Sequence, residues 1–167
     1  QPYFLSVALP IGSSFYTFQT ISYTIDVYRR KVDAAENFFD FALYVSFFPQ
    51  LIAGPIERGT RLLPQILKPR VVNAAMMQRA VYFFIWGLFL KVFIADNMAA
   101  IVDPVFAATG DYEGGQVLLA VYAFSFQIYC DFAGYSFMAI GLAQSMGITL
   151  MENFRRPYFA KNIGDFW

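Results

Sequence analysis

Uncharged apolar runs, broken by short polar stretches, divide this chain into segments. Tyr3 to Ile25 carries no charge and is long enough, as a helix, to cross about 30 Å of hydrocarbon. Its interior holds Ser13, Ser14, Thr17, Gln19, Thr20, Ser22 and Thr24, a polarity that belongs inside a bundle with hydroxyls and amide facing other helices. Pro10 and Gly12 offer a kink, and Arg29-Arg30-Lys31 closes the run. Phe41 to Ile56 is also uncharged, but it is short and interrupted by Pro49 and Gly54-Pro55, which predicts a broken or re-entrant helix. Glu57 to Arg79 holds Arg58, Arg61, Lys68, Arg70 and Arg79 and reads as an interfacial loop with room for a short amphipathic helix. Ala80 to Ala95, begun about a turn earlier, predicts the next span, with Lys91 near one end where its long stem lets the ammonium snorkel. Asp96 to Glu113 contains Asp96, Asp103, Asp111 and Glu113 without Lys or Arg, and Gly110, Gly114 and Gly115 mark its turn. Gln116 to about Ala139 predicts the last long span. Gly141 to Trp167 leaves room for a further short hydrophobic element before Arg155, Arg156 and Lys161.

Basic loops stay preferentially on the cytoplasmic side. Arg29–Lys31, Arg58–Arg79 and Arg155–Lys161 are therefore expected inside, and the acidic Asp96–Gly115 loop outside. With basic loops at both ends, Phe41–Ile56 should dip into the membrane and return on one side. Composition agrees with this reading. The chain is 58% hydrophobic and only 14% charged, with a mean hydropathy of +0.48, whereas soluble domains carry about 25% charged residues. The fold class expected is all-α: a polytopic transmembrane helix bundle with a broken or re-entrant segment, forming a single membrane domain over residues 1–167. A formal net charge of zero implies no nucleic acid or other polyanionic partner; the partner implied is the lipid bilayer. One cysteine, Cys130, excludes an internal disulfide and cannot hold a metal alone, and the absence of histidine removes the commonest base and metal ligand. The start at Gln-Pro without Met and the abrupt end at Phe166-Trp167 read as an internal piece of a longer protein.

Three constellations bear on chemistry. Ser46–Gln65 combines helix breakers with the Gln50 amide, either a wet broken helix or a helix end plus surface turn. Gln127, Asp131 and Tyr135 recur every four residues, so a helix lines them on one face beside Tyr129 and Ser136. An ionised carboxylate at bilayer depth costs roughly 2.5–3.5 kcal/mol on insertion scales, so Asp131 needs a polar cavity or a partner. The stripe is either a hydrogen-bond network binding the bundle or a face lining a substrate path. Asn153, Arg155 and Arg156 stand where a span meets cytoplasm, either anchoring a helix end or meeting an anionic donor phosphate.

Taken in order, Leu9–Arg30, Phe47–Ile66 (FFPQLIAGPIERGTRLLPQI), Gly87–Ala99 (GLFLKVFIADNMA) and Phe126–Trp167 resemble the membrane-bound O-acyltransferase superfamily. The likeness is to its bacterial branch of alginate O-acetylation and teichoic acid D-alanyl transfer. The resemblance implies a multi-pass protein of the bacterial inner membrane. Its acyl donor would be a cytoplasmic thioester, acetyl-CoA or an acyl carrier protein, with no bound cofactor or metal. Its acceptor would be a hydroxyl of an exported polysaccharide or an intermediary acyl-transfer protein. The general base in that family is a buried histidine, expected beyond Trp167, so no residue of this chain is assigned as catalytic. Gln127, Tyr129, Asp131, Asn153, Arg155 and Arg156 are the candidate substrate-binding residues. One position departs from the branch, which often carries an acid after the Gly-Tyr-Ser step where this chain has Phe137. A transporter or lipid flippase also uses broken helices and intramembrane carboxylates, but predicts inverted repeats in the whole protein. A non-catalytic membrane subunit predicts no downstream histidine.

Overall fold

A computed structural model describes residues 13–51, 54–55, 57–154 and 157–166, all helix, turn and loop. Asn73 opens the longest element, its side chain accepting from the Met76 N–H at 2.8 Å as an N-cap. From there α4 (Ala74–Leu88) passes through a π-helical stretch (Phe89–Ala95) into α5 (Asp96–Ala107). After a short turn, α6 (Gly114–Ser145) returns, its start fixed by a reciprocal capping box between Glu113 and Gln116. The continuous helix Ala74–Ala107 has 34 residues and α6 has 32, and both are long and apolar enough to cross a membrane. At 1.5 Å per residue each is about 50 Å long, more than the ~30 Å hydrocarbon layer.

The predicted span ended at Ala95, with Asp96–Glu113 as a loop; the structure corrects both. The Asp96 N–H bonds to the Lys91 carbonyl, so the helix runs on through Asp96 and the turn shrinks to residues 108–113. An acidic residue ends an apolar run, but it does not end a helix whose carboxylate has a partner. Likewise α6 extends past Ala139 to Ser145, and it absorbs the start of the short element expected after Gly141.

The two long helices meet at their backbones. A Cβ on Gly87 would lie 2.5 Å from the Gly134 carbonyl oxygen, and one on Gly141 would lie 2.7 Å from the Ala80 carbonyl oxygen. Gly134 in turn has no room, with Lys91 Cβ at 3.0 Å from such an atom. Ala80 faces Gly141 and Gly87 faces Gly134, so the pairing is antiparallel and small residues let the axes approach. Outward, Ile85, Val92, Phe93, Leu118, Leu119 and Tyr122 stand exposed, as a hydrocarbon-facing surface requires.

The other layer packs against the carboxyl half of α6. It comprises α1 (Ser13–Tyr28), α2 (Phe38–Val45) and α3 (Gly59–Leu67). The first half of the expected Tyr3–Ile25 span, with Pro10 and Gly12, lies outside the described residues. Lys31 N–H bonds back to the Asp26 carbonyl and Arg30 N–H to Val27, closing α1 with Arg30 at φ 55. The expected break after α2 is present. Helix α2 stops at Val45, Pro49 enters a 3-10 turn (Phe48–Gln50), and Gly54 folds back so tightly that a Cβ would stand 2.5 Å from Gln50 Cα. The carbonyl of Tyr44, freed by the helix end, accepts from the buried amides of Gln19 (3.0 Å) and Gln50 (3.3 Å). The short amphipathic helix expected in Glu57–Arg79 is α3, with Leu62, Leu63 and Ile66 buried alongside Tyr23, Tyr44 and Ile140.

Gly134→Val should force the hairpin apart and lower stability by about 2 kcal/mol or more, since overpacking a tight core costs about 1–3 kcal/mol. Gly110→Ala, where the added methyl meets nothing within 4 Å, should stay within about 0.5 kcal/mol. Thermal melts of the detergent-solubilised protein measure both, and equal losses would contradict the packing described.

Candidate functional site

Midway along both long helices, charges of opposite sign face each other. Lys91 Nζ lies 2.7 Å from Asp131 Oδ1 on α6 and 2.8 Å from Asp96 Oδ1 on its own helix. The contact with Asp96 is an aligned hydrogen bond, whereas Asp131 Oδ1 meets the ammonium off-line, as a charge contact. Asp96 is five residues from Lys91, a spacing that an α-helix rotates well away from one face. In the π-helical stretch the i to i+5 backbone bond brings the two onto one side. Widened turns of this kind recur at functional sites. Lys91 was expected near a span end, snorkelling; it stands instead mid-helix and bridges two carboxylates, because the helix does not stop at Ala95.

The stripe expected on α6 lies at this place. Tyr135, one turn on from Asp131, has its ring centroid 5.6 Å from Lys91 Nζ. Gln127, one turn before, has its carbonyl oxygen buried with no hydrogen-bond partner among the described residues. Tyr129 points to other company: its ring stands 5.8 Å from Phe154 and 5.5 Å from Tyr158. Phe137, where the family's branch often has an acid, stacks on Phe83 at 5.9 Å and 11°. Beside the charges, Phe48 and Pro49 of the broken segment, Gly54, Phe84, Tyr135 and Met138 line an apolar cleft of about 220 Å³. The Ser46–Gln65 constellation and the Asp131 stripe thus share a wall through Tyr135.

Of the carboxyl-terminal candidates, Asn153 is exposed, and Arg155 and Arg156 lie outside the described residues. Phe154 stands 5.2 Å from Phe132, and Tyr158 OH donates to the Ser125 carbonyl at 2.6 Å. Phe154 and Tyr158 thus lie back along α6 toward its middle rather than where α6 ends.

Sequence reasoning missed a second polar centre. Glu57 is 1% exposed and accepts from the Met151 N–H. Burial pushes its carboxyl above the usual glutamate range, against the opposing pull of that N–H and of Arg61. A buried acid directly after Gly-Pro-Ile was visible in the sequence, but its partner is 94 residues away. Among the described residues, no three Asp, Glu or Cys side chains converge as a metal site.

Two helices long and apolar enough to cross a membrane, with an ion pair at mid-length and a broken helix beside them, fit a membrane-embedded helix bundle. Residues 30–167 match the model of the MBOAT, membrane-bound O-acyltransferase family, and the chain belongs to that family. It is 46% identical over 168 residues to the probable alginate O-acetylase of Pseudomonas aeruginosa, covering 100% of this chain and 32% of that protein. It is 37% identical over 189 residues to the peptidoglycan O-acetyltransferase of Helicobacter pylori, covering 98% of this chain and 36% of that protein. With the teichoic acid D-alanyltransferase of Streptococcus thermophilus it shares 28% over 163 residues, covering 94% and 39%. The chain thus spans about a third of the length of these relatives.

Two outcomes follow for stability. Asp131→Asn should cost about 1–2 kcal/mol, between an exposed and a buried ion pair, because the Asp131 side chain is 46% exposed. Combined with Lys91→Met it should cost about 1 kcal/mol less than the two single losses together, measured as a cycle of thermal melts. For Glu57, the raised native pKa means that stability from this group is full below the ordinary value of 4.5 and falls as pH rises through the native value. Glu57→Gln cannot ionise, so its melting temperature should gain on the wild type as pH climbs from 4.5 through the native value, and level off above it. A constant difference between the two would contradict the burial of this carboxyl.

Proposed function

We propose that the whole protein is a multi-pass O-acyltransferase of the bacterial inner membrane, moving an acyl group from a cytoplasmic thioester to a hydroxyl of an exported polysaccharide. The observation that carries this reading is the family match over residues 30–167. The relatives' names point to acetyl as the group and a polysaccharide as the acceptor, since the two more similar ones are an alginate O-acetylase and a peptidoglycan O-acetyltransferase.

In the reaction the acceptor oxygen attacks the thioester carbonyl; a C–O bond forms, the C–S bond breaks, and the thiolate leaves. The acceptor proton passes to a base and a proton returns to the sulfur. The chain has no histidine, so that base is assigned to a part of the protein outside these 167 residues. What these residues supply is the setting. Lys91 and Asp131 neutralise each other, which lets polar groups persist at a depth where water is scarce and thioester hydrolysis is slow. The orphaned Gln127 oxygen is an acceptor for a substrate O–H or N–H, and the apolar cleft beside Tyr135 offers a wall for the acyl group. Tyr129 meets Phe154 edge-on and Tyr158 at a tilt, among the rings that border this region. Asn153, Arg155 and Arg156 are assigned to the anionic part of the donor, whether coenzyme A or a carrier's phosphopantetheine.

Full-length protein carrying Asp131→Asn or Gln127→Ala should express normally and lose about tenfold or more in acyl transfer, equivalent to about 1.4 kcal/mol of transition-state stabilisation. Radiolabelled acetyl transfer to purified polysaccharide in membranes is the measurement. Normal expression with normal transfer would remove these residues from the site.

A further inference from the structure

The stretch after α6 is held by side chains in place of a neighbouring strand. Gly147, at φ 77, turns the chain out of the helix, with its own N–H bonded to Gln144 and the Ile148 N–H to Ala143. Residues 148–151 then run extended across α3. Ile148 (0% exposed) and Leu150 (3%) turn into the core beside Leu62, Leu63 and Ile66. The alternate residues present their backbone to α3. Thr149 N–H donates to Gln65 Oε1 at 2.8 Å, Gln65 Nε2 donates back to the Thr149 carbonyl at 3.1 Å, and Met151 N–H donates to Glu57 Oε1. A glutamine amide offers the same donor and acceptor as a peptide group, so Gln65 pairs with Thr149 as a strand would.

Three residues past this strap, Phe154 reaches Phe132 and Tyr129, the neighbours of Asp131. Glu57 itself follows directly on the broken Pro49–Pro55 segment, whose Phe48, Pro49 and Gly54 line the cleft beside Tyr135. One clamp therefore touches both walls of the site without touching the charges. We propose that Glu57 and Gln65 are positioning residues, which fix the 148–151 strap and thereby seat Phe154 and Tyr158 against α6 beside Asp131. Their importance for turnover rests on the acyl-transfer reading above; their action on Phe154 does not. The chemistry needed from Glu57 is an acceptor oxygen, which glutamine also supplies and alanine does not.

The test uses full-length protein with Cys130→Ala, Phe132→Cys and Phe154→Cys, joined by a short bifunctional thiol reagent in the membrane. With Glu57 and Gln65 intact, the cross-link should form readily, since the native rings are 5.2 Å apart. Glu57→Ala with Gln65→Ala should slow it about tenfold or more, the order expected from losing a hydrogen bond to a charged group together with a neutral pair. Glu57→Gln should keep it at the parent rate. Should the double variant aggregate, Gln65→Ala alone serves, with an expected slowing of about threefold. A cross-link rate unchanged in the alanine variants overturns the proposal, and so does a Glu57→Gln variant as slow as alanine. Transfer measured in the same clamp variants with Phe132 and Phe154 native separates the two claims. A lost cross-link with full transfer leaves the clamp standing and counts against the acyl-transfer role of this site.

Discussion

Two helices whose backbones come close together hold side chains of opposite charge against each other and away from the lipid around them. Here that closeness comes from glycine. Gly87 and Gly134 leave no space for a Cβ, and Gly141 lies directly on the Ala80 carbonyl. One turn beyond Gly87 on its helix, and one turn before Gly134 on the other, stand Lys91 and Asp131. The same close approach that provides van der Waals contact in an apolar medium also sets the 2.7 Å charge contact. Larger residues at the seam would widen the gap and take Asp131 away from its cation, leaving Lys91 with Asp96, a worse state for the Asp131 carboxylate than the pair.

Much of the rest is arranged around that hairpin. Its π-helical stretch turns Asp96 to the side of Lys91, so the ammonium is shared between two carboxylates rather than committed to one. The broken segment uses Pro49 and Gly54 to expose a helix end, and buried amides of Gln19 and Gln50 satisfy the freed Tyr44 carbonyl. The break therefore leaves the Tyr44 carbonyl paired, and it places Phe48 and Pro49 beside Tyr135 in one cleft. On the far side the strap returns the chain toward the middle of α6. Polar groups drawn from distant parts of the sequence thus converge on one region.

How much of this could be read beforehand depended on distance along the chain. The Gln116–Ala139 part of α6, the break at Pro49 and Gly54, and the amphipathic α3 are local patterns, and each was legible from hydrophobic spacing and breakers. Asp131 was legible too, as a charge in the wrong solvent demanding a partner. Its partner was not, because Lys91 appeared to sit at the end of a run that closed with Asp96. Hydrophobicity does stop there, but hydrogen bonding does not, and a π-turn leaves no periodic mark in so short a stretch. The clamps from Glu57 to Met151 and from Gln65 to Thr149 join residues 94 and 84 apart, beyond any local signal. The path of the chain past Ser145 has no local signal for the same reason, since it goes with those clamps and with the contacts of Phe154 to Tyr129 and Phe132.

We propose that Lys91 and Asp131 act as one unit in the acyl transfer proposed for the whole protein. The most direct measurement is a kinetic cycle in the full-length protein, comparing Lys91→Met, Asp131→Asn and the two combined. Residues that act together lose their effect together, so the double variant should transfer no more slowly than the worse of the two singles. Losses that multiply, or a single variant with wild-type turnover, would contradict it.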